Sequence, residues 1–301
     1  MRAVLIHETG DPEVLSFEQT DPPTPGEGEV LIAVKAASVN PIDWKIRRGL
    51  RETKLPKILG NDASGVVVES RVEGFAVGEE VFGIVPSGGY AELASASTGT
   101  IARKPPGLSH EQAACLPVAG MTAWQALFDH GKLQAGQTAL IAAGAGGVGH
   151  LAVQLAKHAG ARTIATGSPR NREFLLGLGV DEFIDYTSED VGAAVKDVDV
   201  AFDAVGGDTT ASLVAALREG GVLVTIANAP PEREATQRGA RAVLFSMSPR
   251  PEQLARLAEL VVEGVVRIEI AETFPLQRAR EAHELSEAGH VRGKIVLILG
   301  S

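Results

Sequence analysis

Residues Ala139–Ala161 read ALIAAGAGGVGHLAVQLAKHAGA, in which a short apolar run, a glycine-rich turn and a helical pattern follow one another directly. Gly144, Gly146 and Gly149 have the GxGxxG spacing that binds a dinucleotide when a strand precedes it and a helix follows. The glycines permit a tight turn, a close approach of the backbone to a pyrophosphate and close packing of helix on strand. The helix N-terminus offers free N–H groups to phosphates. The segment predicts a dinucleotide-binding βαβ unit, and a purely structural strand–helix turn is the alternative.

The same alternation of strand and helix extends from about Gly120 to Ser246. Strand-like runs fall at Ala139–Ala143, Thr163–Thr166, Val198–Ala204 and Val222–Ile226, and helical patterns at Val148–His158, Asn171–Leu178 and Thr209–Leu217. This order predicts a parallel sheet with helices on both faces. We therefore expect an α/β fold, with a doubly wound Rossmann domain at residues 119–248.

The N-terminal part of the chain has a different pattern, in which Gly and Pro interrupt short strand-like runs. These runs are Glu29–Ala37, Ser64–Glu69, Val81–Val85 and Tyr90–Ala94. Short strands with frequent turns predict a mostly β domain, such as a partly open barrel, at residues 1–118.

The C-terminal segment, residues 249–301, mixes both kinds of pattern. It predicts a helix at Glu252–Glu263, a strand near Arg267–Ile270, a second helix at Leu276–Ala288 and a closing strand at Lys294–Leu299. We expect this segment to return to the first domain.

Composition describes an ordinary soluble globular protein of 301 residues, with 45% hydrophobic and 22% charged residues. No apolar run reaches the roughly 18 residues of a membrane span, and the N-terminus lacks a secretory-signal pattern. The single cysteine, Cys115, excludes an internal disulfide and suggests the reducing cytoplasm. A net charge of −10 argues against nucleic-acid binding, and a phosphate-bearing ligand would need a local basic patch.

The segment after the second Rossmann strand distinguishes NADPH from NAD. NAD enzymes carry Asp or Glu about 20 residues beyond the glycines, where it binds the ribose 2′-hydroxyl. Here Gly167 stands at that position, and Ser168 and Arg170 follow, which suit a 2′-phosphate. A solvated loop with a helix N-cap at Ser168 is the alternative. Tyr186 is either part of the adenosine site or an ordinary half-buried aromatic.

Six segments in the same order resemble the zinc-free quinone oxidoreductase branch of the medium-chain dehydrogenase/reductase superfamily. They are AASVNPIDWKIRRG, CLPVAGMTAWQAL, ALIAAGAGGVGHLAVQLAKHAGA, FDAVGGDT, LREGGVLVTI and GHVRGKIVL. Within that branch, TGSPRNREFLLGLGVDEFIDYTSED is most similar to the NADPH-dependent enone reductases. The resemblance implies a GroES-like catalytic domain joined to the Rossmann domain, with the active site in the cleft between them.

Zinc alcohol dehydrogenases of the same superfamily carry Cys where Asn40 stands, Gly-His-Glu near Gly60 and a four-cysteine loop. This chain reads SVNPID and LGNDASG at the first two places and has no cysteine loop. Its seven histidines are scattered, and Cys115 lies in an apolar stretch typical of a core residue. We therefore predict no metal site.

The resemblance also implies individual site residues. Lys45 and Asn40 would face the nicotinamide and the substrate, and Arg292 and Gly293 would close the site. The full predicted cofactor set is Thr122, Gly144, Gly146, Gly147, Val148, Gly149, Ser168, Arg170, Asn171, Tyr186, Ile226, Phe245, Arg292 and Gly293. Lys45 as one of several surface cations, pairing with Asp43 or solvent, is the alternative to its catalytic role.

Together these features predict an NADPH-dependent, zinc-independent reductase that transfers a hydride to a quinone or an α,β-unsaturated carbonyl compound. Two departures from the family matter: quinone oxidoreductases often carry Tyr where Lys45 and Arg51 stand, and Pro169 replaces a residue that is often polar. The alternatives are an enoyl-thioester reductase and a non-enzymatic NADPH-binding redox sensor. We expect a homodimer formed by strand pairing near Arg241–Ser246, with neither nucleic acid nor membrane as a partner.

Overall fold

A computed structural model describes residues Met1–Leu299. The chain divides into two compact units. The first contains Met1–Met121, Pro249–Gly264 and the chain from Ile268 on, and the second contains Thr122–Ser248 and Val265–Arg267.

Short strands predominate in the N-terminal part of the chain. The strands are β1 (Arg2–Ile6), β2 (Ser16–Gln19), β3 (Glu29–Val39), β4 (Lys57–Ile58), β5 (Asp62–Ser70), β6 (Glu80–Ile84), β7 (Leu93–Ser97) and β8 (Ile101–Arg103). The helices are α1 (Pro41–Arg47), α2 (His110–Ala114) and α3 (Pro117–Trp124).

Strands and helices alternate in the middle of the chain. A π-helical turn, Gln125–His130, comes first. The strands are β9 (Thr138–Ile141), β10 (Arg162–Gly167), β11 (Glu182–Asp185), β12 (Val198–Asp203), β13 (Leu217–Thr225) and β14 (Arg241–Leu244). The helices are α4 (Gly149–His158), α5 (Arg172–Gly177), α6 (Val191–Ala194), α7 (Asp208–Ala216) and α8 (Glu232–Gln237).

The C-terminal part adds two helices and two strands within the described residues. They are α9 (Pro251–Val262), β15 (Ile270–Pro275), α10 (Ala279–Ala288) and β16 (Lys294–Ile298).

The sheet of the second unit has the order β11-β10-β9-β12-β13-β14, and every neighbouring pair is parallel. Numbered from β9, this is the 3-2-1-4-5-6 order of dinucleotide-binding folds. Its central strands are apolar because both faces are covered, as in β9, where Ala139, Leu140 and Ile141 are fully buried. The predicted Rossmann fold is confirmed.

The first unit is built on a mainly antiparallel sheet with the order β15-β16-β3-β5-β6-β8, in which β7 also pairs with β3. A smaller sheet has the order β2-β1-β4. Their apolar faces share a core that includes Ile6, Ile32, Val67 and Leu297. β16 of the C-terminal segment pairs with β3, with Leu297 opposite Ala37.

The predicted strand near Arg267–Ile270 is wrong in position, because β15 begins at Ile270 and runs to Pro275. The apolar residues Val266 and Ile268 are buried without forming a strand. The true strand, IAETFP, lies at the edge of its sheet, and most of its side chains are exposed. None of the helices between Met1 and Leu299 has the length and apolar character needed to cross a bilayer.

Candidate active site

The predicted cofactor residues of the second unit gather at one edge of its sheet. The glycine turn follows β9, Gly167 ends β10, and Tyr186, Ile226 and Phe245 each follow directly after β11, β13 and β14. Because these strands are parallel, their carboxyl ends lie at the same edge, which is where open α/β sheets bind ligands.

The backbone of the glycine turn lies too close to its neighbours to leave space for side chains at two of the glycines. A β-carbon on Gly149 would lie 2.1 Å from the carbonyl oxygen of Ala143, and one on Gly144 would lie 2.7 Å from Cβ of Ala165. The backbone N–H groups of Gly147 and Val148, which precede α4, donate to no acceptor within residues 1–299. The turn therefore offers unused donors at a helix N-terminus, the arrangement that suits a pyrophosphate.

Gly167 is the last residue of β10, where an NAD enzyme carries its acidic side chain. A β-carbon here would lie 3.0 Å from Cδ1 of Leu175 and 3.1 Å from Cε2 of Phe183. The neighbouring strand places Asp185 opposite Gly167, but its carboxylate accepts hydrogen bonds from Thr187 and Ser188. The acid that would bind a ribose hydroxyl could stand here only if the Leu175 and Phe183 side chains shifted by a few tenths of an ångström.

The residues after Gly167 form a short 3-10 turn, Pro169–Asn171, which leads into α5. The side chain of Ser168 does not cap this turn, which disfavours the N-cap alternative. Its Oγ lies 3.4 Å from Nδ2 of Asn171, and Arg170 is exposed beside them. Tyr186 has 48% of its surface exposed.

The far side of the same sheet edge is ordered by buried polar contacts. Asp203, at the end of β12, accepts hydrogen bonds from the backbone N–H groups of Val205 and Gly206 and from the Thr210 hydroxyl. The N–H group of Ile226 donates to the carbonyl of Asp203 at 3.1 Å. These bonds fix the loops after β12 and β13.

Two further predicted residues of the second unit are buried. The ring of Phe245 packs on His130 of the π-helical turn with centroids 4.5 Å apart. Thr122 lies on α3. Single π-turns occur frequently at functional sites.

In the first unit, α1 places Asn40 and Lys45. Pro41 begins the helix, and the Asp43 carboxylate accepts the Asn40 N–H at 2.8 Å, a contact typical of a helix start. Lys45 is half-buried, with Nζ 5.7 Å from the ring centre of Trp44. The alternative in which Lys45 pairs with Asp43 is wrong, because that carboxylate is buried and bonded to Asn61 and Tyr90.

Asn40 is the centre of a buried polar chain that sequence reasoning missed. Its Oδ1 accepts from Nζ of Lys294 at 2.5 Å, and its Nδ2 donates to Oδ2 of Asp62 at 2.8 Å. Ser38 also donates to Oδ2 of Asp62, and the Val118 N–H donates to Oδ1. Burial raises the pKa of the Asp62 carboxyl, and the nearby Lys294 ammonium opposes that rise.

A second buried chain starts from the same helix. The Tyr90 hydroxyl donates to Asp43 at 3.1 Å and lies 3.3 Å from Nε2 of His283 on α10. Burial, reinforced by the charge of Asp62, raises the pKa of Asp43 to about 7. Burial and the neighbouring Arg47 guanidinium lower the pKa of His283 to about 3. At neutral pH the Asp43 carboxyl is thus close to its titration midpoint, whereas the imidazole is neutral.

Arg292 and Gly293 precede β16. Arg292 contacts the Glu269 carboxylate at 3.2 Å. Gly293 has a φ of 78°, and a β-carbon on it would lie 2.2 Å from the Glu269 carbonyl oxygen. Gly293 therefore fixes the backbone from which Lys294 enters the strand.

Within residues 1–299, no three His, Cys, Asp or Glu side chains lie together as metal ligands would. Cys115 is buried, and burial raises the pKa of its thiol to about 12, so it is a core residue and not a nucleophile.

Comparison with known proteins gives the family. Residues 26–114 match a model described as the alcohol dehydrogenase GroES-like domain, and residues 178–297 match one described as zinc-binding dehydrogenase. The chloroplast envelope quinone oxidoreductase homolog of Arabidopsis thaliana is 35% identical over 94% of this chain and 93% of its own length. The chain belongs to the quinone oxidoreductase branch of the medium-chain dehydrogenases/reductases.

Two further relatives of this quinone oxidoreductase-like chain are informative. The chloroplastic NADPH-dependent alkenal/one oxidoreductase of Arabidopsis thaliana is 34% identical over 99% of this chain and 79% of its own length. The structure of the quinone oxidoreductase from Coxiella burnetii has a TM-score of 0.95 and 42% identity, and it covers 100% of this chain and 99% of that one. The family and the two-domain fold class predicted from sequence are confirmed.

Proposed function

We propose that this member of the quinone oxidoreductase branch is an enzyme that uses NADPH to reduce a quinone or an α,β-unsaturated carbonyl compound. Relatives named for quinones and for alkenals or enones support both acceptor classes. The observation that carries the proposal is the tight packing around Gly167, which disfavours the acid of an NAD site, together with Ser168 and Arg170 beside it.

The residues of the second unit fit NADPH. The unused N–H groups of Gly147 and Val148 would hold the pyrophosphate, together with the close backbone approach at Gly144, Gly146 and Gly149. Ser168, Arg170, Asn171 and Tyr186 would hold the 2′-phosphate end. Thr122, Ile226 and Phe245 would hold the nicotinamide end, and Arg292 and Gly293 complete the proposed set of cofactor residues.

When bound, the nicotinamide supplies the hydride. In an enone, the hydride would form a new C–H bond at the β-carbon. The electron pair of the C=C bond then forms a double bond between the α-carbon and the carbonyl carbon, and the carbonyl π pair moves to the oxygen. We assign the stabilisation of that oxygen to the Lys45 ammonium and the Asn40 amide, because a positioned cation or N–H donor is strongest where charge develops. Transfer of a proton from water to the α-carbon then completes the reduction.

Three finer features belong to the same proposal. The enzyme works without a metal, since Asn40 and Asn61 stand where zinc enzymes carry ligands. It acts in the cytoplasm, where a single thiol stays reduced. It forms a homodimer through β14, which lies at the edge of its sheet with Leu244 50% exposed.

The test measures oxidation of NADPH and of NADH with a naphthoquinone, an alkyl vinyl ketone, an enal and a crotonyl thioester, before and after exhaustive chelation. We expect turnover with a quinone or enone, a preference for NADPH and no loss on chelation. Turnover confined to the thioester would favour an enoyl-thioester reductase, and tight NADPH binding without any turnover would favour a redox sensor. A stoichiometric metal required for turnover would refute metal independence.

A further inference from the structure

We propose that Lys294 and Asp62 are positioning residues, which clamp the Asn40 amide so that its second N–H is held as a donor for the substrate carbonyl oxygen. The proposal rests on the proposed function, which gives Asn40 its contact with substrate. It adds two residues whose side chains act only through Asn40.

The clamp is defined by charges of opposite sign at the two ends of one amide. The Lys294 ammonium lies 2.5 Å from the amide oxygen, and the Asp62 carboxylate lies 2.8 Å from the amide nitrogen. Asn40, Asp62 and Lys294 are 2%, 0% and 3% exposed. Rotation of the amide by a half turn would set its N–H groups against the ammonium and its oxygen against the carboxylate, so a single orientation is enforced.

The carboxylate that anchors the amide is itself immobile. Oδ1 of Asp62 accepts the Val118 N–H, and Oδ2 accepts the Ser38 hydroxyl as well as the Asn40 amide. Any rotation of the Asp62 side chain would break at least one of these buried bonds, which are costly to lose.

The cation is equally well fixed by its backbone. Gly293 approaches Glu269 too closely for any other residue, and the Lys294 N–H donates to the Glu269 carbonyl at 2.8 Å. The next residue, Ile295, pairs with Val39 directly before Asn40. The ammonium therefore reaches the amide from a rigid strand.

One of the two N–H groups of the Asn40 amide remains available as a donor. An asparagine carries two N–H donors, and Asp62 takes one. The other has no acceptor within the part of the chain that the structure describes. The Lys294 ammonium draws electron density from the amide oxygen, which makes this remaining N–H a stronger donor. A donor fixed in advance stabilises a developing oxyanion most effectively.

Fold stability alone does not account for this arrangement. Apolar residues of similar volume are often as stabilising as a buried pair of opposite charges, or more so. The charges are better explained by the orientation they impose on the amide between them.

The test is a double-mutant cycle on the full enzyme with an enone substrate. We expect Lys294→Met to lower kcat about tenfold or more while the NADPH dissociation constant, measured by titration without substrate, stays unchanged. In an Asn40→Ala background the same substitution should have no further effect, because the amide it positions is gone. Lys35→Met, which removes an exposed cation from β3, is the matched control and should be silent.

Two more readouts separate positioning from a structural role. Lys294→Gln keeps an N–H donor for the amide oxygen and should fall between wild type and Lys294→Met in kcat. Lys294→Met leaves the buried Asp62 carboxylate without a compensating charge. Lowering the pH protonates Asp62, so the Tm lost in Lys294→Met should recover. Its kcat relative to wild type should stay low.

Four results would overturn the inference: an unchanged kcat in Lys294→Met, additive losses with Asn40→Ala, a loss confined to NADPH affinity, or recovery of kcat together with Tm. Failure of Lys294→Gln to exceed Lys294→Met would also count against it. Absence of turnover in the wild-type enzyme would instead refute the proposed function.

Discussion

A β-carbon on Gly167 would lie 3.0 Å from Cδ1 of Leu175, so α5 packs directly against the end of β10. We expect Gly167→Asp, which restores the acid of an NAD site, to lower stability by about 1–3 kcal/mol through overpacking. The new carboxylate should also repel the 2′-phosphate of NADPH. It should not create an efficient NADH enzyme, because Leu175 and Phe183 crowd the position that the side chain would occupy. Thermal unfolding and kcat/KM with each cofactor test this.

Gly177→Asp provides the matched control for that substitution. Gly177 is exposed on α5, and nothing lies within 4 Å of its β-carbon position. It should unfold like wild type and keep the cofactor preference. A Gly167→Asp enzyme that is fully stable and prefers NADH would contradict the role given to the packing at Gly167.

Arg170 is the residue to test for recognition of the 2′-phosphate. Loss of a charged hydrogen-bonding partner is worth about 1.5–3 kcal/mol, so Arg170→Ala should weaken NADPH binding roughly ten- to hundredfold. NADH binding should change little, since that cofactor lacks the phosphate. Isothermal titration with both cofactors measures the difference.

Arg162→Ala serves as the control. It removes an exposed arginine from the start of β10, the strand whose other end leads to Arg170. Equal losses for NADPH and NADH in Arg170→Ala would show that Arg170 does not bind the phosphate. Arg172 would then be the candidate, since its guanidinium already lies 5.7 Å from the Phe183 ring centre.

Local patterns made the Rossmann half of the molecule predictable. The turn at Gly144–Gly149 and the end of β10 at Gly167 depend on neighbours close in sequence, and both occur where expected. The strand near Arg267–Ile270 was misplaced because hydrophobicity identifies buried residues, whereas β15 is an edge strand with most of its side chains exposed.

The buried chain around Asn40 was beyond local reasoning. Lys294 lies 254 residues from Asn40 and reaches it only because β16 pairs with β3. Comparison with zinc alcohol dehydrogenases identified Asn40 and Asp62 only as residues in the two segments that lack zinc ligands. No local pattern predicts that a lysine near the far end of the chain contacts Asn40 on the side of its amide opposite Asp62.

Asp43 predicts a distinct pH dependence of stability. Its folded pKa, raised to about 7 by burial, exceeds its value in the unfolded chain. Its contribution to stability is therefore fully present below about pH 4 and is lost as the pH rises through about 7. Asp43→Asn mimics the protonated carboxyl, so its unfolding midpoint in urea should improve relative to wild type as the pH rises across this window.

The neutral side chain is compatible with its surroundings. The Asn oxygen can accept the Asn40 N–H and the Tyr90 hydroxyl, and Asn61 can turn its amide to accept from the new nitrogen. Asp21→Asn, at an exposed position, is the control. Parallel pH profiles for wild type and Asp43→Asn would show that Asp43 keeps an ordinary pKa.

Lys45 carries the most consequential of these predictions. Lys45 is half-buried, and its ammonium lies 5.7 Å from the Trp44 ring centre. It pairs with no carboxylate between Met1 and Leu299, so its charge is not neutralised within the fold. Lys45→Met keeps most of the length and the packing on Trp44 but removes the charge. If the ammonium stabilises the oxygen that becomes negative, kcat on an enone should fall about tenfold or more.

The control and the pattern of kinetic losses decide which role Lys45 has. Lys54→Met removes an exposed lysine a short distance along the chain and should leave kcat and KM unchanged. A loss in Lys45→Met that is confined to NADPH affinity would make Lys45 a cofactor contact, because ground-state binding alone would have been removed. An unaltered Lys45→Met enzyme would exclude Lys45 from the site. Stabilisation of the oxygen would then depend on the clamped amide of Asn40, since that side chain is the other donor assigned to the substrate.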